Sequence, residues 1–248
     1  MSVRRFDGVD DYVNFGSKAI LDNIQDSNVS WVVWMRREGN NPSNVASRVI
    51  VKGSTPAPLS PFGISTSGDV IPLSITCIES RTTTNRKRQS TGNTVTNDVW
   101  TLLSATVIAS TLATDMRLYV GSAGYVKEAT YFSNGTNGVG ITSDNSAMPM
   151  TAGAQFTAIE LLGRIGYASV YSNKILSLNE LSQLMYYPGS ISDGKHLVGC
   201  WPLWGTPTEQ DFSGYDNAST SISGTTILGD NPPVNGFGMV HAPIPLYG

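Results

Sequence analysis

Charge is scarce in this chain. Asp, Glu, Lys and Arg make up 14% of its 248 residues and leave a formal net charge of −3. That balance excludes two extremes, a strongly basic nucleic-acid surface and a disordered acidic tail. Histidine is scarcer still. Only His196 and His241 occur, and His241 lies in a Pro-rich stretch. A nucleophilic triad would have to be built on His196, and no nucleophile-elbow motif accompanies it. The two cysteines, Cys77 and Cys200, sit far apart in strand-like segments and read as small apolar core residues rather than a disulfide or a metal site. No apolar run reaches the ~18 residues of a membrane helix. The opening "MSVRRFDG" passes from two arginines straight into a turn, without an apolar secretory core. Paired catalytic carboxylates are missing as well: Glu79, Glu128 and Glu160 are isolated in sequence, whereas a retaining glycosidase needs two acids facing one groove.

What is present is alternation. In "SWVVWMR", Trp31, Val33 and Met35 share one face while Val32 and Trp34 share the other, which predicts a strand covered on both sides. "VIPLSITCIES" places Ile71, Leu73, Ile75 and Cys77 on one face, with Pro72 hinting at a sheet edge. "WTLLSATVI", "MRLYVG", "FTAIELLGRI", "GYASVYS" and "HLVGCWPL" read as further strands, separated by Gly, Ser, Asn, Thr and Pro. Near the start, Asp7-Gly8 is a turn signal and Tyr12 to Phe15 alternate as a half-buried strand.

One segment departs from this period. In "LSLNELSQLMYYPG", Ser177 and Glu180 form a capping box, and Leu178, Leu181, Leu184 and Met185 make one apolar stripe. The spacing predicts a short helix near residues 178–187 lying against an edge or rim, ended by Pro188-Gly189. The fold class expected is an all-β antiparallel sandwich of jelly-roll type over residues 1–228. Residues 229–248 are Pro- and Gly-rich without a period and read as an extended C-terminal arm. Its Phe237, Met239, Val240, Ile244, Leu246 and Tyr247 are available as anchors on a neighbour.

Taken in order, "FDGVDDYVNFG", "SWVVWMRREG", "VWTLLSATV", "RLYVG", "IGYASVYSNKILSLNELSQLMY" and "LVGCWPLWGTPTEQDFSGYDNASTSISGTT" resemble the concanavalin A-like, laminin G-like jelly rolls, including those of bacteriophage virion proteins. The resemblance covers about residues 3–228. It implies that "DFSGYDNASTSISGTT" returns beside the first strand, so that Phe6–Phe15 and Phe212–Ile227 meet. The chain departs from the group at Gly163 to Ala168, where relatives often carry acids, and at Gly121-Ser122, where the hairpin Asp is missing.

The same resemblance raises calcium, for which Asp10, Asp11, Asp211 and Asp216 are the candidate oxygen ligands. Against that, Asp7, Asp10 and Asp211 suit tight turns without any ion, and no cofactor is expected. Trp34, Trp201 and Trp204 are candidate sugar platforms, although Trp in alternating strands is more often core. Arg86, Lys87 and Arg88, with Arg81 upstream, read as a solvated hairpin tip able to dock on an acidic protein surface; they lack the interleaved aromatics of a nucleic-acid site. The function expected is a non-enzymatic virion structural protein, made in the host cytoplasm without a signal peptide. It would be a capsid-decorating subunit bound to the major capsid protein or another virion protein and to copies of itself. A carbohydrate-binding module recognising a cell-surface glycan is the alternative, and a glycan-active enzyme the third reading. Neither nucleic acid nor membrane is expected as a partner.

Overall fold

A computed structural model describes residues 2–39, 47–53, 62–67, 74–122, 124–154, 160–191, 193–230 and 232–234. Their strands are β1 (Val3–Asp7), β2 (Tyr12–Asn14), β3 (Val29–Arg37), β4 (Ser47–Lys52), β5 (Phe62–Ser67), β6 (Ser74–Glu79), β7 (Arg86–Gln89), β8 (Trp100–Val107), β9 (Met116–Ser122), β10 (Tyr125–Glu128), β11 (Met150–Ala152), β12 (Leu162–Ser172), β13 (Leu197–Trp201), β14 (Ser221–Ser223) and β15 (Thr226–Leu228), with one helix, α1 (Leu178–Tyr186). One sheet runs β10-β9-β8-β3-β12-β1-β15, with β13 also paired to β12. The other runs β14-β2-β11-β4-β5-β6-β7. All pairings are antiparallel, and the two sheets form a β-sandwich consistent with a jelly roll.

The alternation of β3 is realised on both faces. Trp31, Val33 and Met35 enter the core between the sheets, while Val32 and Trp34 enter a second core on the outer face of the larger sheet. Helix α1 covers that outer core. Its capping box forms as the sequence predicts, with Ser177 accepting the Glu180 amide and Glu180 accepting the Ser177 amide. Leu181, Leu184 and Met185 are buried against Trp34, Leu102 and Tyr171. One expectation changes here: Leu178 is 46% exposed, outside the buried stripe. The helix packs on the outer face beside the edge strand β10, tied to the β9–β10 hairpin by Tyr186 Oη donating to the Gly124 carbonyl at 2.6 Å.

The closure expected of the first strand is present. Val3 pairs with Leu228 and Arg4 with Ile227 across β1 and β15, and Val13 pairs with Ile222 across β2 and β14. "FDGVDDYVNFG" is therefore not a single opening strand. Its Gly8–Asp11 turn carries the chain from the larger sheet into the smaller one, with Gly8 at φ +81. The end of "FTAIELLGRI", from Leu162, and "GYASVYS" form one strand, β12. Residues 155–159, like Ile71, Pro72 and Leu73, lie outside the described residues. Cys77 and Cys200 are buried free thiols, and burial pushes each up to about 12.

The register of β12 shifts between Ile165 and Tyr167, where its other neighbour changes from β1 to β13. Gly166 stands at that point, and a Cβ there would lie 3.0 Å from the ring of Pro232. Beside it, Asp230 accepts from Arg36 and from Arg164, the latter at 2.7 Å. The chain beyond β15 thus crosses the outer face of the larger sheet, and Val234 packs on the core there. The missing side chain of Gly166 is the space this crossing occupies.

Candidate functional site

The run Arg86-Lys87-Arg88 is not a solvated tip. It is strand β7, in register with β6 so that Arg86 faces Glu79 directly. Arg86 and Glu79 are both fully buried. Arg81 reaches the second Glu79 oxygen at 2.6 Å. Burial pushes the Glu79 carboxyl up, and Arg86 and Arg81 pull it back toward the charged form. Arg88 lies 3.5 Å from the Tyr131 ring centroid and donates to the Thr114 and Met116 carbonyls. Within the run only Lys87 is exposed to a partner. Charge matching across two strands took Arg86 inward, because a buried guanidinium needs both a carboxylate and carbonyl acceptors, while the half-buried Arg88 is held by the Tyr131 ring and backbone carbonyls.

That buried network holds up one rim of the sandwich. Arg86 Nη1 donates to the Ile108 carbonyl at 2.9 Å and to Ser110 Oγ at 3.1 Å. Arg81 donates to the Gly140 carbonyl at 3.0 Å and to the Ser110 carbonyl. Gly138 N–H donates to the Thr111 carbonyl at 2.8 Å, so the loop after β8 and the segment near residue 140 are fastened together. Between them and the short 3-10 turn Ile24–Asp26 opens a cleft of about 290 Å³ lined by Gln25, Asp26, Arg81, Ala109, Ser110, Gly140, Ile141 and Thr142. Thr142 Oγ1 donates to Asp26 Oδ1. Gln25 is committed beneath, donating to the Ser143 carbonyl at 2.9 Å and accepting from Asn145 at 2.6 Å. Ile141 is 75% exposed at the mouth, and Ile108, Leu112 and Val139 are exposed around it. Of these cleft residues the sequence singles out Arg81 alone, as part of the basic run. The others carry one sequence signal, Ile141 with its neighbour Val139, apolar within a loop of Gly, Asn, Ser and Thr.

The acids divide into two places. Asp7, Asp10 and Asp11 each bring a carboxylate oxygen within 4.8 Å of the others in the β1–β2 turn. Asp211 and Asp216 do not join them. Asp211 accepts from the backbone N–H groups of Cys200, Ser213 and Asn217, and Asp216 is an exposed partner of Lys18 at 3.9 Å. Turn chemistry accounts for Asp7, which accepts from Val9 N–H, and for Asp11 Oδ2, which accepts from Asp7 N–H. Asp11 Oδ1 is different: the residue is 2% exposed and this oxygen has no hydrogen-bond partner. The three carboxylates could offer a divalent cation such as calcium one hard oxygen each, the rest coming from carbonyls or water, whereas Asp11 Oδ1 faces Gly224 so closely that a Cβ there would lie 1.7 Å from it.

Burial, with the Asp7 and Asp10 charges, raises the Asp11 carboxyl above its ordinary value. A raised folded value means that the native state holds a proton the unfolded chain has released. Stability from this group is thus present below the usual Asp range and lost as pH rises through the folded value. Asp11→Asn is accordingly expected to raise stability at neutral pH in chelator by about 1 kcal/mol, or roughly 2–4 °C in melting temperature. Repeating both melts with calcium reads the metal directly. A gain confined to the unsubstituted chain is cation binding, and equal curves are turn chemistry alone.

The aromatic candidates are corrected by burial. Trp34 and Trp201 are 0% exposed and cannot stack on sugar. Trp201 lies on Phe15 at 4.2 Å, and its Nε1 donates to the Asn217 carbonyl at 2.7 Å. Trp204 is half-buried with its ring 5.8 Å from Phe212. The anchors Phe237, Met239, Ile244, Leu246 and Tyr247, together with His241, lie outside the described residues. Among the described groups weighed for catalysis, Glu128 accepts from Tyr131 Oη at 2.6 Å, Glu160 is buried, and His196 Nδ1 sits 3.1 Å from the Ser172 carbonyl.

Among solved structures, the chain is similar to a candidate carbohydrate-binding protein from Bacteroides ovatus, with a TM-score of 0.58 and 12% identity over 96% of this chain and 61% of that one. It is also similar to tailspike protein 2 of the Escherichia coli O157:H7 bacteriophage CAB120, with a TM-score of 0.46 and 10% identity over 81% of this chain and 30% of that one. The chain thus spans less than two thirds of either neighbour. No protein-family model matches it, and no curated protein matches it in sequence. At these identities the likeness is one of fold.

Proposed function

We propose that this chain is a non-enzymatic subunit of a bacteriophage particle, one that decorates the capsid by binding the major capsid protein or another virion protein and neighbouring copies of itself. The observation that supports contact over turnover is the rim, where Ile108, Leu112, Val139 and Ile141 stand exposed around a polar cleft. Apolar side chains grouped at a surface are what a protein contact uses. Of the groups weighed for catalysis, Glu79 is fully buried between two arginines, Glu160 is buried, and the exposed Glu128 is engaged by Tyr131. The phage assignment draws on the sequence resemblance, and it places the protein on the particle surface.

A second reading is favoured by the cleft itself. Polar groups converging between apolar edges suit a small polar ligand, and the sandwich shared with the Bacteroides protein agrees with a carbohydrate-binding module recognising a cell-surface receptor. Mass spectrometry and imaging of particles separate the two. Many symmetric copies on the capsid lattice are the expected result. Absence from the capsid, or a few copies at a tail, would remove the decoration reading in favour of receptor recognition.

A further inference from the structure

The rim cleft has a narrower chemistry than a general contact surface, and we infer that it binds one neutral pyranose ring through a pair of adjacent hydroxyls. This deepens the carbohydrate reading and rests on it. Ionic ligands fit poorly at either sign. Arg81 lines the cleft, but its two Nη groups are engaged by Glu79 and by the Ser110 and Gly140 carbonyls and its Nε is buried, which leaves it poorly placed to fork onto a phosphate, sulfate or carboxylate. Asp26 at the mouth repels the same anions. For a cationic ligand the attraction of Asp26 is set against the buried network behind the wall, where Arg81 and Arg86 share a single carboxylate, that of Glu79.

The groups that remain are those a sugar uses. Ser110 Oγ already accepts from Arg86 Nη1 and from Leu112 N–H, so its own proton is left to donate outward. Asp26 Oδ1 receives Thr142 Oγ1, and the carboxylate keeps lone-pair capacity to accept from a ligand hydroxyl. A donor and a charged acceptor on facing segments match one hydroxyl accepting and its neighbour donating. Ala109 and Ile141 supply apolar surface for the C–H face of the ring. The volume, about 290 Å³, lies at the bottom of the ~300–1,000 Å³ range of small-molecule clefts, which limits the occupant to one ring. No aromatic side chain lines the cleft, so the dissociation constant is expected near ~1 mM.

The test is a titration of the isotope-labelled full chain, followed by amide NMR, with the methyl glycosides of glucose, galactose, mannose and N-acetylglucosamine. Glucuronic acid and glucosamine serve as charged comparators. At least one neutral glycoside is expected to give saturable shifts at residues 25–26, 109–110 and 140–142. Asp26→Asn should weaken that binding at least ~10-fold, the loss of one hydrogen bond to a charged group. Ile141→Ala, at a position whose exposure leaves the fold intact, should weaken it about 3-fold, as loss of partial apolar contact does, and Asp216→Asn should leave it unchanged. Shifts that saturate elsewhere would overturn the cleft while keeping the carbohydrate reading. Tighter binding of either charged comparator would overturn the neutral-sugar assignment, and no saturable binding of any sugar would remove both. Capsid location is read from particles and is independent of all these outcomes.

Discussion

Replacing Glu79 with Gln is expected to cost about 3–5 kcal/mol of folding stability, because it leaves two buried guanidinium charges without their counter-ion. Arg86 is fully buried and Arg81 nearly so, and an amide can accept one hydrogen bond but cannot compensate their charge. The effect should extend beyond stability. Arg81 and Arg86 hold the Ile108, Ser110 and Gly140 backbone in place, so the residual folded protein should lose the cleft's amide signature first. Urea denaturation gives the free energy. Arg86→Met should cost a similar amount, and the double substitution should cost clearly less than the sum of the two, since each single change strands the charge the other removes. A loss below about 1 kcal/mol, the level of an exposed pair, would mean that the network is solvated and that the rim does not depend on it.

Trp201→Ala should cost a comparable ~3–5 kcal/mol, by cavity formation. The ring stacks on Phe15 from the opposite sheet, and it lies so close to Gly199 that a Cβ there would be 2.2 Å from it. Its indole N–H holds the Asn217 carbonyl, while the Asn217 side chain donates to the Val198 carbonyl at 2.7 Å. Removing the ring therefore empties the core and releases the segment that Asp211 also fastens. Denaturation with near-ultraviolet circular dichroism reads both. Were Trp201 a sugar platform, the same substitution would abolish binding with stability intact, and that outcome would overturn its placement in the core.

Some of this was legible in residue order. The two faces of β3 follow from strict alternation in "SWVVWMR", and the helix follows from Ser177, Glu180 and the Leu spacing, because both patterns are local. The basic run misleads for a related reason. Three consecutive cations look like a loop, yet as a strand they alternate, Arg86 inward and Lys87 outward, and the partner that takes Arg86 inside is Glu79 on the neighbouring strand. Only the register reveals it. Trp34 and Trp201 could not be told from surface aromatics, since what covers them comes from afar: α1 over Trp34 and the Asn217 segment over Trp201. The cleft is the least legible feature, being assembled from three loops that share no motif and are joined by two buried arginines and by bonds such as Thr142 to Asp26 and Gly138 to Thr111.

The closure of the sandwich also governs how the chain folds. Strand β1 is completed by β12 and β15, with Arg4 set against Ile165 and Ile227, and β2 is completed by β11 and β14. The segments made first therefore wait for those made last. During synthesis Phe6, Val13 and Phe15, all fully buried in the finished core, wait for β11, β12 and Trp201 to emerge before their strands and rings find partners. Such long-range pairing is slow, on the scale of milliseconds to seconds for β-sandwiches, and it makes the final step all-or-none. A chain stopped short of β14 would leave β1 and β2 each without a neighbour, so premature termination should yield aggregate rather than a smaller working domain.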